Sequence, residues 1–323
     1  MINAYRAEQG HLRLVSPLPE DISGLVWLDL LEPGKDEERA IETALGIGVP
    51  TREEMEEIEY SSRLYYEDGA AYMTATMPSH TDTDEPILAP VTFVLTDRQL
   101  LTVRYNEPRA FATLPMWAAK SPVCGDDGAT VLVVLLELQV DRLADVLERA
   151  ARDIYGISRH VFRHKSAKRA RPPDHQSMLV TIGHKGDLTS NLLECLVSLE
   201  RMFGFLSHAL QQRQANRDLR TRVKTLSRDC HSLIEYAGTL SQKVTFLLEA
   251  TLGLVNIEQN ATIKIFSVVA VVFLPPTLIA SIYGMNFRVM PELEWLLGYP
   301  FALLLMVVCA IVPYWYFKHR RWL

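Results

Sequence analysis

The chain has 323 residues, 48% of them hydrophobic, and a formal net charge of −6, which leaves room for two domains and is too apolar for a disordered protein. The charge is unevenly divided: residues 1–150 hold 27 acidic against 12 basic side chains, a balance of −15, and the remainder carries +9. An acidic first half argues against a nucleic-acid partner. Cys124, Cys195, Cys230 and Cys309 lie too far apart for a zinc finger or a disulfide framework and fit a reducing cytosol.

The first residues, MINAYRAEQG, lack the apolar core of a signal peptide. Strands are predicted over 12–15 and 25–30, then a helix over 34–45. Thr51 reads as a helix cap, because Glu54 three residues later completes a capping box. The acidic run Glu53, Glu54, Glu56, Glu57 and Glu59 reads as a solvated helix face. Further strands are predicted over 63–66, 70–76, 89–95 and 100–104, and helices over 106–119 and 129–162. Residues 1–128 therefore form a mixed α/β domain. It holds no P-loop, no G-x-G-x-x-G and no G-x-S-x-G, so the chain does not read as an enzyme. Asp82, Asp84 and Glu85 lie in a loop between strands. They read either as an ordinary polar turn or as a loose regulatory divalent-cation site, since carboxylates are hard ligands suited to Mg²⁺.

Residues 129–262 read as a helical stalk. His160 and His164 have a metal-ligand spacing, but six cations within 159–171 would repel a divalent ion, so this segment reads as a solvated hairpin tip. No proline interrupts 174–274. Gly183 and Gly186 are expected to mark a weak point and Asn216–Asp218 a turn. Leu219 to Tyr283 then forms one helix of 65 residues, about 97 Å at ~1.5 Å each. That length implies a coiled coil running into a membrane span.

Two runs near the C-terminus carry no charge, Ile265 to Phe287 with 23 residues and Leu296 to Phe317 with 22. Each suffices to cross a hydrocarbon core of ~30 Å. The reading is a first transmembrane helix over 263–285, an external loop over 286–295, a second transmembrane helix over 296–317 and a basic tail over 318–323. Lys264 before the first span and Lys318, His319, Arg320 and Arg321 after the second put both termini in the cytoplasm by the positive-inside rule.

On the first span Asn260, Ile263, Ser267, Ala270, Leu274, Thr277, Ser281 and Gly284 recur in steps of three and four and gather all three hydroxyls onto one stripe. Such a stripe serves either tight helix packing or the lining of a narrow pore made by several copies. Pro275-Pro276 strips the carbonyls of Val271 and Val272 of their usual donors, so that stretch must face protein or water. The span closes on Tyr283, Gly284, Met285 and Asn286, where glycine frees the backbone and asparagine offers a neutral amide oxygen. A ring of such oxygens suits hydrated Mg²⁺, which gives up its waters reluctantly.

YGMN at 283–286, followed by MPEL at 290–293, resembles the signature of the CorA family of magnesium channels, part of the two-span G-x-N superfamily of metal ion transporters. The similarity is dense from Val244 onward: NIEQN at 256–260, KIFSVVAVVFLPPT at 264–277, GYP at 298–300. The resemblance implies an α-helical membrane channel with an α/β cytoplasmic domain, a long helical stalk, two C-terminal transmembrane helices and a homopentameric assembly in the bacterial inner (cytoplasmic) membrane. Mg²⁺ would be substrate and regulator, Co²⁺ and Ni²⁺ further substrates, with no organic cofactor. Influx would be driven by membrane potential and gated by intracellular Mg²⁺. Tyr283, Gly284, Met285 and Asn286 would form the selectivity filter, hydrated Mg²⁺ resting at Gly284 and Asn286. Matching positions imply that Asn260, Ile263, Leu274 and Thr277 face the pore; Ser267, Ala270 and Ser281 share their stripe. Leu274, Ile263 and Phe266, the last one step off the stripe, are candidate apolar gates. Glu292 and Glu294 would concentrate cations at the outer mouth. Relatives sense cytosolic Mg²⁺ through acidic residues between subunits, and Asp82, Asp84 and Glu85 are the local candidates. Two rivals stand beside this reading: a proton-linked zinc transporter of the same superfamily, and a membrane-anchored scaffold that transports nothing.

Overall fold

The structure is a computed structural model that describes residues 1–19, 21–120, 127–163, 175–286, 291 and 295–320. It divides into two compact units, Met1–Leu248 and Glu249–Leu323. The first joins the α/β part to three long helices. Seven strands, β1 (Ile2–Glu8), β2 (His11–Val15), β3 (Trp27–Leu31), β4 (Leu64–Glu67), β5 (Ala70–Ser79), β6 (Ile87–Leu95) and β7 (Leu100–Arg104), form one sheet in the order β2-β1-β3-β7-β6-β5-β4. Only β3 and β7 run parallel; every other neighbouring pair is antiparallel.

Strand alternation divides the core into two layers. Leu28, Leu30, Tyr72, Val94, Leu101 and Val103 face one side and pack with Ile41 of α1 (Lys35–Leu45) and Met55 of α2 (Arg52–Glu56). Trp27 and Phe93 face the other side and meet Phe111 of α4 (Arg109–Ala118), with ring centroids 6.0 and 6.3 Å apart. A short helix, α3 (Tyr60–Arg63), leads into β4. All ten residues of β5 are buried, as expected of a strand covered on both faces. On the Phe111 side the sheet carries a buried ion pair: Arg104 grips Asp29 through Nε at 2.9 Å and Nη2 at 2.8 Å. Thr102 adds a bond to Asp29 at 2.8 Å and accepts one from Trp27 Nε1 at 3.0 Å.

The expected strands are all present within a few residues, and the Thr51–Glu54 capping box forms. Its helix is shorter than the acidic run suggested, ending at Glu56. Strand β1 was not anticipated. Its residues alternate without a β-branched run, but pairing on both sides supplies the ladder, and Tyr5 stacks on Trp27 at 4.6 Å. Gln9 and Gly10, with φ of 54° and 81°, make the tight turn to β2, a left-handed pair suited to a two-residue hairpin.

Three long helices follow: α5 (Gly128–Arg163), α6 (His175–Gln212) and α7 (Arg217–Tyr283). Gly128 has to be glycine, because a Cβ there would sit 2.3 Å from the Leu100 nitrogen. Helix α6 runs unbroken through Gly183 and Gly186, so the expected weak point does not form. At Gly186 the missing side chain lets α7 approach, a Cβ meeting Val244 Cγ1 at 3.3 Å. Within the first unit α7 buries Leu219, Val223, Leu226, Cys230, Ala237, Leu240, Val244 and Leu247, a heptad seam. Cys230 donates to Leu196 O across it at 3.1 Å. Burial pushes the Cys230 thiol up to about 12 and that of Cys195 higher still, leaving both unreactive. The predicted turn at Asn216 is present, Asn216 Oδ1 accepting from the Asp218 N–H at 3.1 Å. The anticipated hairpin tip falls almost wholly outside the described residues, as do Glu292 and Glu294.

Candidate ion pathway

The second unit contains the last part of α7 and α8 (Gly298–His319), and both helices include a stretch long and apolar enough to cross a membrane. Only 6% of the apolar window of each is buried within the chain. Leu274 is 65% exposed and Phe266 70%. Surfaces this apolar require lipid or further protein to cover them.

Val268 is the buried side chain of the first apolar stretch among the described residues. Farther along, Ala280 and Tyr283 border a cavity of about 430 Å³ with Trp295, Leu296, Tyr299, Ala302 and Met306. At about 100° per residue, the Val268–Ala280–Tyr283 face lies about 160° around α7 from the middle of the hydroxyl stripe. Gly284, at the end of the stripe, borders the same cavity beside α8, and Asn260, Ile263, Ser267, Ala270, Leu274, Thr277 and Ser281 are exposed, as are most side chains of this stretch.

The hydroxyls on that stripe are tied down. Ser267 Oγ donates to Ile263 O and Thr277 Oγ1 to Phe273 O, each at 2.8 Å. With the hydrogen spent on the backbone, each oxygen turns outward as an acceptor. Helix α7 continues through Pro275 and Pro276 and ends at Tyr283. Gly284 N–H still bonds Ala280 O at 3.0 Å and Met285 N–H bonds Ile282 O at 3.2 Å. Gly284 is not left-handed, contrary to the conformational freedom expected of it. Glycine matters there because an added Cβ would stand 3.1 Å from Ala280 O. Tyr283 and Gly284 both border the α8 cavity, so Tyr283 braces the turn, while Met285 and Asn286 are exposed. The bonds from Gly284 and Met285 satisfy the Ala280 and Ile282 carbonyls, and the C-terminal end of α7 carries the negative end of its dipole, which favours a cation just beyond Tyr283.

The acidic loop of the first unit lies between β5 and β6, as expected, and its carboxylates have partners within the chain. Asp82 Oδ1 meets Arg142 at 2.6 Å and Arg109 at 3.0 Å. The hydrogen bond from Arg142 holds its carboxyl below the usual range. Asp84 lies 2.7 Å from Lys185 Nζ, which also pairs with Asp153 at 2.6 Å. Glu85 reaches His184 at 3.5 Å. Asp82 and Asp84 face cations of their own chain, Glu85 faces the His184 ring, and no group of three or more potential metal ligands gathers among the described residues. The partners lie on α4, α5 and α6, 27 to 101 residues away in sequence, which is why the run looked free.

Lys185 is 6% exposed in its side chain. Burial alone would lower its pKa; the hydrogen bonds from Nζ to Asp153 and Asp84 outweigh that and raise it. Its contribution is therefore complete below the ordinary lysine value of ~10.4 and lost as pH rises through the higher folded value. Lys185→Gln is expected to cost about 1.5–3 kcal/mol at pH 7. In thermal melts of wild type and variant, the gap between their midpoints should be full at pH 7 and close in strongly alkaline buffer.

A family model described as CorA-like Mg²⁺ transporter protein matches residues 23–319. Proteins named magnesium transport protein CorA from Pectobacterium atrosepticum, Yersinia pestis and Escherichia coli strain K12 are each 34% identical to this chain, with full coverage of both sequences. Among solved structures, the complete CorA magnesium transporter from Methanocaldococcus jannaschii shares the fold at a TM-score of 0.79 and 18% identity, covering 100% of this chain and 99% of that one. Full-length CmaX gives a TM-score of 0.72 at 17% identity, covering 100% and 98%. The end-to-end match to the curated relatives, together with an α/β domain feeding one long helix and two apolar C-terminal helices, shows that the chain belongs to the family of CorA-like Mg²⁺ transporter proteins.

Proposed function

We propose that the chain is the subunit of a Mg²⁺ influx channel in the cytoplasmic membrane, both termini cytoplasmic, with several copies, five by resemblance, placing α7 around a common axis. The observation that supports this reading is the stripe from Asn260 to Ser281, exposed along the apolar part of α7, the helix that ends at Tyr283 beside Gly284 and Asn286. Hydrated Mg²⁺ is selected at a ring of Gly284 carbonyls and Asn286 amides, beyond the negative ends of the α7 helices. Glu292 and Glu294 raise the local cation concentration outside.

Inside the span, water-clad ions meet the outward lone pairs of Thr277 and Ser267, and the apolar rings of Leu274 and Ile263 close the path by dewetting. Membrane potential supplies the drive, worth about 2.3 kcal/mol per charge for each 100 mV. Co²⁺ and Ni²⁺, similar in hydrated form, are further cargo. Cytosolic Mg²⁺ favours the closed state. At Asp82, Asp84 and Glu85 it would compete with Arg142, Arg109 and Lys185, so this loop is a weak-affinity sensor at most.

Flux into proteoliposomes, read with a Mg²⁺-sensitive dye, tests the reading. Inside-negative potential should speed Mg²⁺ uptake, and external cobalt hexammine, which mimics a fully hydrated ion, should block it. Zn²⁺ uptake that needs a proton gradient would replace the channel with a zinc transporter. Absence of either flux in verified oligomers would leave only a membrane-anchored scaffold.

A further inference from the structure

The turn between α6 and α7 holds a cavity that the ion pathway does not use. It encloses about 370 Å³ and is lined by Ser207 and Gln211 from the end of α6 and by Arg217, Arg220, Thr221 and Lys224 from the start of α7. No carboxylate lines it, and three of its six side chains carry full positive charge. The Ser207 hydroxyl and Gln211 amide add neutral donors; the Thr221 hydroxyl is spent on Arg217 O at 2.9 Å.

Neighbouring cations are compensated. Arg222 pairs with Glu137 through two bonds of 2.8 and 2.6 Å, and Arg213 donates to the carbonyls of Gly69, Leu95 and Thr96. Arg217, Arg220 and Lys224 have no carboxylate partner among the described residues. Arg220 goes further, since its Nε is shut off from solvent and meets no acceptor. A buried charged N–H without a partner bears the full cost of its desolvation. An anion that enters the cavity relieves the mutual repulsion of its three cations.

We propose that this cavity binds a phosphate-bearing anion. Phosphoryl oxygens accept from the planar fork of Arg220, with Arg217 and Lys224 neutralising the remaining charge and Ser207 and Gln211 closing the shell. The start of α7 adds its positive dipole end on the same side. The shared chemistry is a phosphate group, of a soluble anion or of a lipid headgroup, and the titration separates the two.

Calorimetric titration of the full-length protein in neutral-lipid nanodiscs, free of divalent cations, with inorganic phosphate and then pyrophosphate tests this. Saturable binding of one anion per chain is expected, tighter for pyrophosphate. It should weaken at least tenfold in Arg220→Gln/Lys224→Gln and stay unchanged in Arg228→Gln, an exposed cation outside the cavity. An unaltered thermal midpoint of the double variant would tie the loss to the site and not to misfolding. Binding that never saturates, or that survives the double variant, overturns the proposal. Loss of phosphate binding in nanodiscs of anionic lipid assigns the cavity to headgroups, and its persistence there to a soluble anion.

Discussion

Asn286→Ala is expected to abolish Mg²⁺ influx while leaving assembly intact. Asn286 is exposed just beyond the end of α7, where the helix offers its last carbonyls and the negative end of its dipole. A hydrogen bond to a charged partner is worth about 1.5–3 kcal/mol. If each copy in the ring loses one, the combined loss exceeds by several times the ~1.4 kcal/mol that changes an equilibrium tenfold. Its side chain is exposed, so the substitution buries or uncovers no core among the described residues. Dye-reported flux should therefore fall by roughly a hundredfold or more, with the elution volume in size-exclusion chromatography unchanged. Flux at the wild-type rate would remove Asn286 from the filter.

Arg104→Ala should be the most damaging single change in the α/β domain. The side chains of Arg104 and Asp29 are 7% and 3% exposed, and Arg104 also donates to Asn106 O at 2.7 Å and lies 4.6 Å from the centre of the Phe111 ring. Removing one partner strands a buried carboxylate, at a cost of about 3–5 kcal/mol. That is a large part of a typical folding stability of ~5–15 kcal/mol. A fall in melting midpoint of about 10 °C or more is expected for a unit of this size. Arg104→Met combined with Asp29→Leu removes both charges and should recover most of the loss. If the single variant melts within a degree or two of wild type, the pair contributes little and the domain is held by its apolar layers alone.

The pattern of strands and helices was legible because short-range physics writes it: β-branched runs between turns, a Thr51–Glu54 cap, a heptad from Leu219 to Leu247. Strand β1 was not, since its identity comes from pairing with β2 and β3 and not from its own residues. At Gly186 the smooth course of α6 has the same origin, α7 packing in where the side chain is missing.

By itself the sequence determined the two apolar runs, the hydroxyl stripe and the YGMN terminus, because span length and helical period depend only on local order along the chain. Tertiary structure alone decided that Ala280, Tyr283 and Gly284 border a cavity beside α8. It alone brought Arg142, Lys185 and His184 from distant helices against Asp82, Asp84 and Glu85. It alone gathered Arg217, Arg220 and Lys224 with the end of α6 around one cavity. Charge compensation is a matter of a few ångströms in space, and separation along the chain does not encode it.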